Sequence, residues 1–236
     1  MDFEQAVDAA PPGWRHFGID DLNRLPTSAL EHEMRRLPAA QRVALNEGDR
    51  GAQERVLRAF FWTLVYHLEP AMWDALSQAE PIADGLLSAL PAAPLRVIEV
   101  GAGSGRLTRH LSRLSDCVLA IEPALGLSQL LRRRLPAVHV VSGWAEAVPV
   151  IGGWSQLTSA CGVIGPDPAV LSELERVTAP GGDIVLLSPE CPEWFEANGW
   201  RRLIVERPIA PAHPEWIDDF FGLPDPPHEL VAKHIS

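Results

Sequence analysis

The sequence predicts an α/β fold, with a mostly parallel sheet preceded by an N-terminal helical region. From Leu95 onward, short runs rich in valine, isoleucine and leucine alternate with helical segments. This alternation is typical of a parallel sheet covered on both faces by helices. The first such run ends in glycines, at residues 101–105, and a helical segment follows at once. The chain has 236 residues, of which 47% are hydrophobic and 22% charged, so it is long enough to bury a sizeable core.

The N-terminal part of the chain predicts an arm and a helical lid. Residues 1–26 contain a Pro-Pro-Gly sequence and scattered aromatic side chains, which indicate an irregular arm. Residues 27–90 show apolar side chains at helical spacing, interrupted by prolines. The connector at residues 91–94 holds two prolines and two alanines. We therefore predict an arm and lid at residues 1–94 and a second domain at residues 95–236.

The sequence of the second domain predicts seven strands. Five of them alternate with helices, and two late ones follow the last helix. The strand-like runs lie at residues 95–100, 118–121, 138–141, 157–161, 184–187, 203–205 and 229–232. Helical segments are expected between them at residues 106–114, 124–135 and 168–177.

The glycine-rich turn is the most informative segment of the chain. Ligands of open α/β sheets bind outside the carboxyl ends of the strands, which is where this turn lies. Gly101 permits the tight turn, Gly103 lets a ligand approach the backbone, and Gly105 lets the following helix pack close to the strand. An ordinary strand–helix turn without a ligand is the alternative interpretation.

Three side chains around this turn argue against a dinucleotide. A dinucleotide fingerprint needs a third glycine where this chain has Arg106. Glu99 places a carboxylate near the ligand, which suits the ammonium of an amino acid better than a pyrophosphate. Glu122 ends the second strand, 21 residues after Gly101, where an acid can accept both ribose hydroxyls. A nucleoside that carries an amino-acid group, such as S-adenosylmethionine (SAM), fits these residues.

At these residues the sequence resembles the class I SAM-dependent methyltransferases, of the type 11 and type 25 kind. The loop at residues 99–105 matches their first motif, and Glu122 matches their ribose-binding acid. Three later segments look like the family's adenine segment, its helix and turn before the fifth strand, and its turn before the sixth strand. These segments are residues 140–149, 174–182 and 198–200. The resemblance covers residues 95–205 and implies a Rossmann-like seven-stranded sheet with an antiparallel last strand.

The resemblance also implies SAM as the cofactor and a set of residues that bind it. Many relatives carry an acid at the position of Trp144, so Trp144 either stacks on the adenine or simply packs. The backbone of Ala145 or Glu146 could still contact the purine. The predicted set is Glu99, Gly101, Ala102, Gly103, Gly105, Glu122, Pro123, Trp144, Ala145, Glu146 and Ser159.

The sequence leaves the catalytic residues open. Methyl transfer from a sulfonium depends mainly on alignment and on removal of water, so no fixed triad is expected. An oxygen nucleophile would want a general base. The candidates are Tyr66, His67, Glu69, His213, Glu215 and His228. No set of histidines, cysteines and acids has metal-ligand spacing, so we predict no metal site.

Charge and composition indicate which classes of molecule the protein can bind and in which compartment it is expected. A formal net charge of −11 repels nucleic acid. The longest apolar stretch, at residues 59–68, is too short to span a bilayer, and the acidic N-terminus lacks a secretion signal. Three widely spaced cysteines indicate reduced thiols in a cytoplasmic protein. We expect a monomer or homodimer that acts on a small molecule.

Three functional hypotheses follow from these features. The first is a SAM-dependent methyltransferase that methylates an oxygen or nitrogen of a small-molecule acceptor. The second is a non-catalytic SAM-binding or interaction protein with a methyltransferase fold, because acids common in the family are missing at Trp144 and Ser155. The third is a nicotinamide-dependent oxidoreductase, which Arg106 disfavours.

Overall fold

The computed structural model describes residues 17–206, Pro208 and residues 228–236. None of the helices in these ranges is long and apolar enough to cross a membrane. Of the residues that the sequence singles out, His213 and Glu215 lie outside the described ranges.

The described residues belong to two compact units. The first unit ends at Ala79 and the second begins at Glu80. The short helix Asp84–Ser88, which the sequence assigns to the lid, therefore lies in the second unit. The role of residues 1–94 as a lid stays a prediction.

The first unit is helical throughout its described part. A 3-10 helix precedes four α-helices: Ile19–Arg24, then α1 (Thr27–Arg36), α2 (Ala39–Asn46), α3 (Arg50–Leu68) and α4 (Pro70–Ala79). The carboxylate of Asp49 caps α3 by accepting the Ala52 N–H at 2.6 Å. Val56, Phe60 and Leu64 form a buried stripe on α3, because they recur at helical spacing, and this stripe centres the core of the unit.

The described residues of the second unit form a seven-stranded sheet flanked by five helices. The strands are β1 (Val97–Val100), β2 (Val118–Ile121), β3 (His139–Val141), β4 (Ser155–Cys161), β5 (Thr178–Leu187), β6 (Arg201–Val205) and β7 (His228–His234). The helices are α5 (Asp84–Ser88), α6 (Thr108–Leu114), α7 (Leu125–Arg134), α8 (Pro168–Val177) and α9 (Pro192–Ala197).

The strand order is β3-β2-β1-β4-β5-β7-β6. The five strands β1 to β5 pair in parallel, and β7 runs antiparallel to both β5 and β6. The predicted Rossmann-like sheet with an antiparallel last strand is confirmed. The chain reverses its direction of travel across the sheet between β1 and β4, and such a switch point is where open α/β sheets bind ligands.

Most strand boundaries lie within two residues of the sequence prediction, but the start of the fifth strand differs by six. The prediction starts the fifth strand at Ile184, after a Pro-Gly-Gly turn, but β5 begins at Thr178 and includes that turn. Two successive pairs between β4 and β5, Ser155 with Thr178 and Leu157 with Asp183, have a register shift between them. The extra residues of β5 are accommodated as an irregularity within the strand, so the proline and glycines do not interrupt it.

The two faces of the sheet are buried in different cores. Ile98, Val100 and Ile184 pack on one face with Leu174 of α8 and Phe195 of α9. The other face places Val97, Leu157 and Val185 against Leu107 and Leu111, which follow the glycine turn. Because side chains alternate along a strand, Glu99 and Ser159 face the same side as Val97 and Leu157. Two polar residues therefore lie in an otherwise apolar layer near the carboxyl ends of β1 and β4.

Candidate cofactor site

The loop that follows β1 has the backbone conformation that its glycines predict. The φ angles are +66° at Gly101, +55° at Gly103 and +100° at Gly105, all in the left-handed region. Residues with a Cβ rarely adopt this region, so the glycines are needed for the path of the loop. The N–H of Ala102, which is buried, donates to the carbonyl of Ile121 at 3.1 Å and fastens the loop to the end of β2.

Two of these glycines also leave room for neighbouring side chains. A Cβ added to Gly101 would lie 2.6 Å from Cγ2 of Val163, in the loop after β4. A Cβ added to Gly105 would lie 2.6 Å from Cδ1 of Leu131 on α7. The close packing at Gly105 is therefore with α7, whereas the sequence interpretation expected it with the first strand. Gly101 lets the loop after β4 approach the loop after β1.

Glu122 lies at the end of β2 and binds the glycine loop directly. One carboxylate oxygen accepts the Gly103 N–H at 2.8 Å, and the other accepts the Ala124 N–H at 2.8 Å. The residue is only 5% exposed. Burial raises the pKa of Glu122 to about 7, although the two N–H groups act in the opposite direction. Each oxygen keeps a second lone pair that can accept a hydroxyl.

Glu99 lies inside β1, next to the loop, and is 1% exposed. Its Oε2 atom is buried and accepts no hydrogen bond from the described residues. Burial raises the pKa of Glu99 to about 8. The nearby Thr108 hydroxyl and the Arg106 charge lower it, and the Glu122 charge raises it. A buried acceptor without a donor is costly, so a cationic donor from a ligand would fit this position.

The predicted adenine segment packs beside the end of β2. Trp144 and Ala147 form a tight turn, in which the Ala147 N–H donates to the Trp144 carbonyl at 3.1 Å. A Cβ added to Gly143 would lie 3.0 Å from Cγ2 of Ile121, the residue before Glu122. Ala145 is partly buried against the core of the unit. The turn thus lies close to the predicted ribose-binding acid, and stacking of Trp144 on adenine stays a prediction.

Two other residues of the predicted set contribute in different ways. Ser159 is fully buried in β4, and its hydroxyl donates to the Val185 carbonyl at 2.8 Å. The hydroxyl proton of Ser159 is therefore used within the sheet. Pro123 and Glu146 are half-buried on the loops after β2 and β3. Their contact with a cofactor also stays a prediction.

No family model matches this chain, but individual relatives do. An uncharacterized methyltransferase of Mycobacterium tuberculosis is 32% identical over 159 residues, which are 61% of this chain and 58% of the relative. A demethylmenaquinone methyltransferase of Beutenbergia cavernae is 35% identical over 117 residues, 47% of this chain and 49% of the relative. The chain thus spans about half to three fifths of the length of these relatives.

The solved structure of a SAM-dependent methyltransferase from Aquifex aeolicus matches with a TM-score of 0.50 at 16% identity. The match covers 70% of this chain and 96% of that structure, and it shows a shared fold. The named relatives and the shared fold support the class I SAM-dependent methyltransferase family for this chain.

A half-buried polar cluster lies beside the glycine loop. Arg106 forms an ion pair with the Glu80 carboxylate and donates to Sγ of Cys161 at 3.1 Å. Burial raises the pKa of the Cys161 thiol, while the Arg106 charge lowers it. The sequence interpretation used Arg106 only to disfavour a dinucleotide. Its partners lie 26 and 55 residues away, and no local pattern indicates them.

The catalytic candidates that the structure describes include residues of both units. Tyr66 and His67 lie on α3 in the first unit. The Tyr66 ring stacks on Trp62, with centroids 6.1 Å apart, and burial lowers the pKa of His67. His228 is buried at the start of β7 in the second unit. Among the residues that the structure describes, no group of three or more histidines, cysteines and acids could hold a metal ion.

Proposed function

We propose that this chain is a SAM-dependent methyltransferase that transfers a methyl group to an oxygen or nitrogen of a small-molecule acceptor. The observation that carries the proposal is the pair of buried carboxylates around the glycine loop. Glu122 binds the loop through the Gly103 N–H, and Glu99 presents an oxygen without a donor. A nucleoside that carries an ammonium group supplies donors to both.

Each carboxylate suits a different part of SAM. Glu122 has a free lone pair on each oxygen, which fits the two ribose hydroxyls. Glu99 fits the ammonium of the methionine group, because an ionised partner offsets the cost of burying the carboxylate. Gly103 exposes a backbone without a Cβ between them. The acid expected beside the adenine is replaced by Trp144, so adenine recognition depends on that ring or on the neighbouring backbone.

Methyl transfer from SAM requires correct positioning of the acceptor rather than covalent catalysis by the protein. SAM supplies a methyl group that is already activated by the positive sulfur. The chain's own residues have to align the acceptor with that methyl group and exclude water from it. A fixed catalytic triad is therefore unnecessary.

Charge and relatives support the small-molecule class of acceptor. The net charge of −11 disfavours nucleic acid. The Beutenbergia relative is named for demethylmenaquinone, a small molecule. The three cysteines, Cys117, Cys161 and Cys191, are free thiols, which supports a cytoplasmic location. The proposal includes action as a monomer or homodimer.

Calorimetric titration of the purified protein with SAM and, separately, with NADH tests the cofactor. We expect saturable binding of SAM and none of NADH, because Arg106 stands where a dinucleotide needs glycine. Tighter binding of NADH would overturn the proposal. Incubation with SAM and a panel of phenols and amines should then yield S-adenosylhomocysteine. Binding of SAM without turnover of any acceptor would favour the non-catalytic alternative.

The Glu122→Ala variant tests the ribose contact. A single charge-assisted hydrogen bond to the ribose is worth about 1.5–3 kcal/mol, so its loss alone should weaken SAM binding at least about tenfold. Glu193→Ala serves as the matched control, because Glu193 is an exposed carboxylate on α9. An unchanged dissociation constant in Glu122→Ala would remove Glu122 from the site.

A further inference from the structure

The loops after β4 and β5 are joined at the carboxyl edge of the sheet. The Gly162 N–H donates to the Leu187 carbonyl at 2.9 Å, which extends the pairing beyond the end of β4. The Glu190 N–H donates to the Ile164 carbonyl at 2.9 Å. Ile164 is buried in the core of the unit. The two loops therefore hold a fixed position relative to each other.

The loop after β4 also contacts the glycine loop. A Cβ added to Gly101 would lie only 2.6 Å from Cγ2 of Val163, so the Val163 side chain packs directly against Gly101. Val163 is adjacent to Ile164, so two residues of the chain connect the glycine loop to the backbone of Glu190. This path places the loop after β5 on the side of the glycine loop opposite β2 and its ribose-binding acid, since β1 lies between β2 and β4 in the sheet.

The Glu190 carboxylate reaches back over the loop after β4. A Cβ added to Gly165 would lie 2.8 Å from Oε2 of Glu190, so only glycine leaves the carboxylate in this position. Glu190 is exposed, and none of the described residues donates a hydrogen bond to its carboxylate.

The backbone around Glu190 is strained on both sides. Ser188 has φ +45° and Cys191 has φ +51°, and neither is glycine. Side chains rarely adopt this region, and strain of this kind is concentrated at functional sites. The strained turn fixes the backbone of an acidic residue beside the switch point of the sheet.

We propose that Glu190 binds the methyl acceptor, with its carboxylate accepting a hydrogen bond from the hydroxyl or ammonium group of the acceptor. That group would lose a proton to the Glu190 carboxylate. Its oxygen or nitrogen lone pair would then bond to the methyl carbon as the carbon–sulfur bond of SAM breaks and S-adenosylhomocysteine leaves. The inference rests on the proposed function above and names the class of acceptor. Together with Glu99 and Glu122, Glu190 makes this edge of the sheet acidic. A neutral hydroxyl or a cationic amine is therefore favoured over a carboxylate or phosphate acceptor.

A pair of SAM analogues tests the inference without knowledge of the acceptor. Sinefungin carries an ammonium group where SAM has its methyl, and S-adenosylhomocysteine carries nothing there. Both are titrated by calorimetry into the wild-type chain, Glu190→Gln and the matched control Glu193→Gln. We expect the ratio of the two affinities to shift about tenfold against sinefungin in Glu190→Gln, with S-adenosylhomocysteine unaffected. The control should keep the wild-type ratio.

A second variant moves the carboxylate without removing it. Gly165→Ala should displace Oε2 of Glu190 and shift the ratio in the same direction. An unchanged ratio in Glu190→Gln, with S-adenosylhomocysteine still bound, overturns the role of Glu190 and leaves the proposed function standing. Failure of the wild-type chain to bind either analogue overturns both.

Discussion

The loop after β1 and the loop after β5 both place residues in the left-handed region of the backbone, but with different residue types. In the first loop these residues are Gly101, Gly103 and Gly105. In the second they are Ser188 and Cys191. Glycine adopts this region without a steric penalty, whereas other residues lose about 1–3 kcal/mol each. The first loop is therefore relaxed by its sequence, and the second is held in place by its surroundings.

Hydrogen bonds from neighbouring elements hold the loop after β5 in its strained conformation. The Ser188 N–H donates to the Glu229 carbonyl at 2.7 Å, and the Glu190 N–H donates to the Ile164 carbonyl at 2.9 Å. Pro189, between them, is buried. These contacts come from β7 and from the loop after β4, so the strain depends on tertiary structure. One edge of a sheet can therefore carry two loops with residues in the left-handed region, of which only one has a sequence motif.

The largest expected effect on cofactor affinity is at Gly103. Glycine is expected there both because the backbone is left-handed and because a ligand approaches the loop closely. Gly103→Val places a branched side chain at φ +55°, beside the N–H that donates to Glu122. We expect affinity for S-adenosylhomocysteine to fall more than about a hundredfold, or about 2.7 kcal/mol. Calorimetry measures the affinity.

Gly181→Val separates strain from ligand contact. Gly181 has φ +79° and open space around it, so this variant carries the backbone penalty far from the loop. The two variants should lose similar thermal stability, and only Gly103→Val should lose binding. Retained binding in Gly103→Val would mean that the loop does not touch the ligand.

A second prediction concerns the buried charge beside the relaxed loop. The pKa of Glu99 is raised from 4.5 to about 8 in the folded chain. Below about pH 4.5 the carboxyl is protonated in both states, and its burial costs least. As pH rises towards 8 the unfolded chain ionises first, so the free energy of unfolding falls, and the fall ends above the folded pKa.

Thermal unfolding without cofactor, from pH 5 to pH 8.5, measures this fall. Glu99→Gln removes the titration, and one pKa unit corresponds to about 1.4 kcal/mol. Relative to wild type, the melting temperature of Glu99→Gln should be similar at pH 5 and roughly 6–12 °C higher at pH 8, for a difference of about 3 kcal/mol. Glu193→Gln, an exposed control, should track wild type. Parallel profiles for Glu99→Gln and wild type would contradict the raised pKa.

The smallest expected effect lies in the strained loop. Cys191 has φ +51° and ψ +57° and is exposed, so Cys191→Gly should relieve strain with little loss of contact. We expect the free energy of unfolding to rise by about 0.5–1 kcal/mol, measured by urea denaturation. Ser112→Gly, inside the regular helix α6, should have the opposite sign and cost about 0.5–1 kcal/mol. A loss of stability in Cys191→Gly would show that the loop is unstrained.

Much of the sheet could be predicted because buried strands appear in the sequence as short runs of apolar residues. The β1 run from Val97 to Val100 and the β2 run from Val118 to Ile121 are aliphatic apart from Glu99, and both are buried. The boundary of β5 could not be predicted, because Pro180 and its glycines are typical of a turn. They stay in the strand only through pairing with β4, which adjusts its register.

The sequence by itself determined the order of strands and helices, the glycine loop and the acid at Glu122. These features depend on neighbours in the chain, on the alternation of apolar residues and on the conformational freedom of glycine. Only the tertiary structure brought Arg106 to Cys161, Val163 to Gly101 and Glu190 to Gly165. Those partners are separated by tens of residues, and their meeting depends on which strands pair and on where each loop leaves the sheet. Neither the strand pairing nor the path of each loop can be predicted from the local sequence.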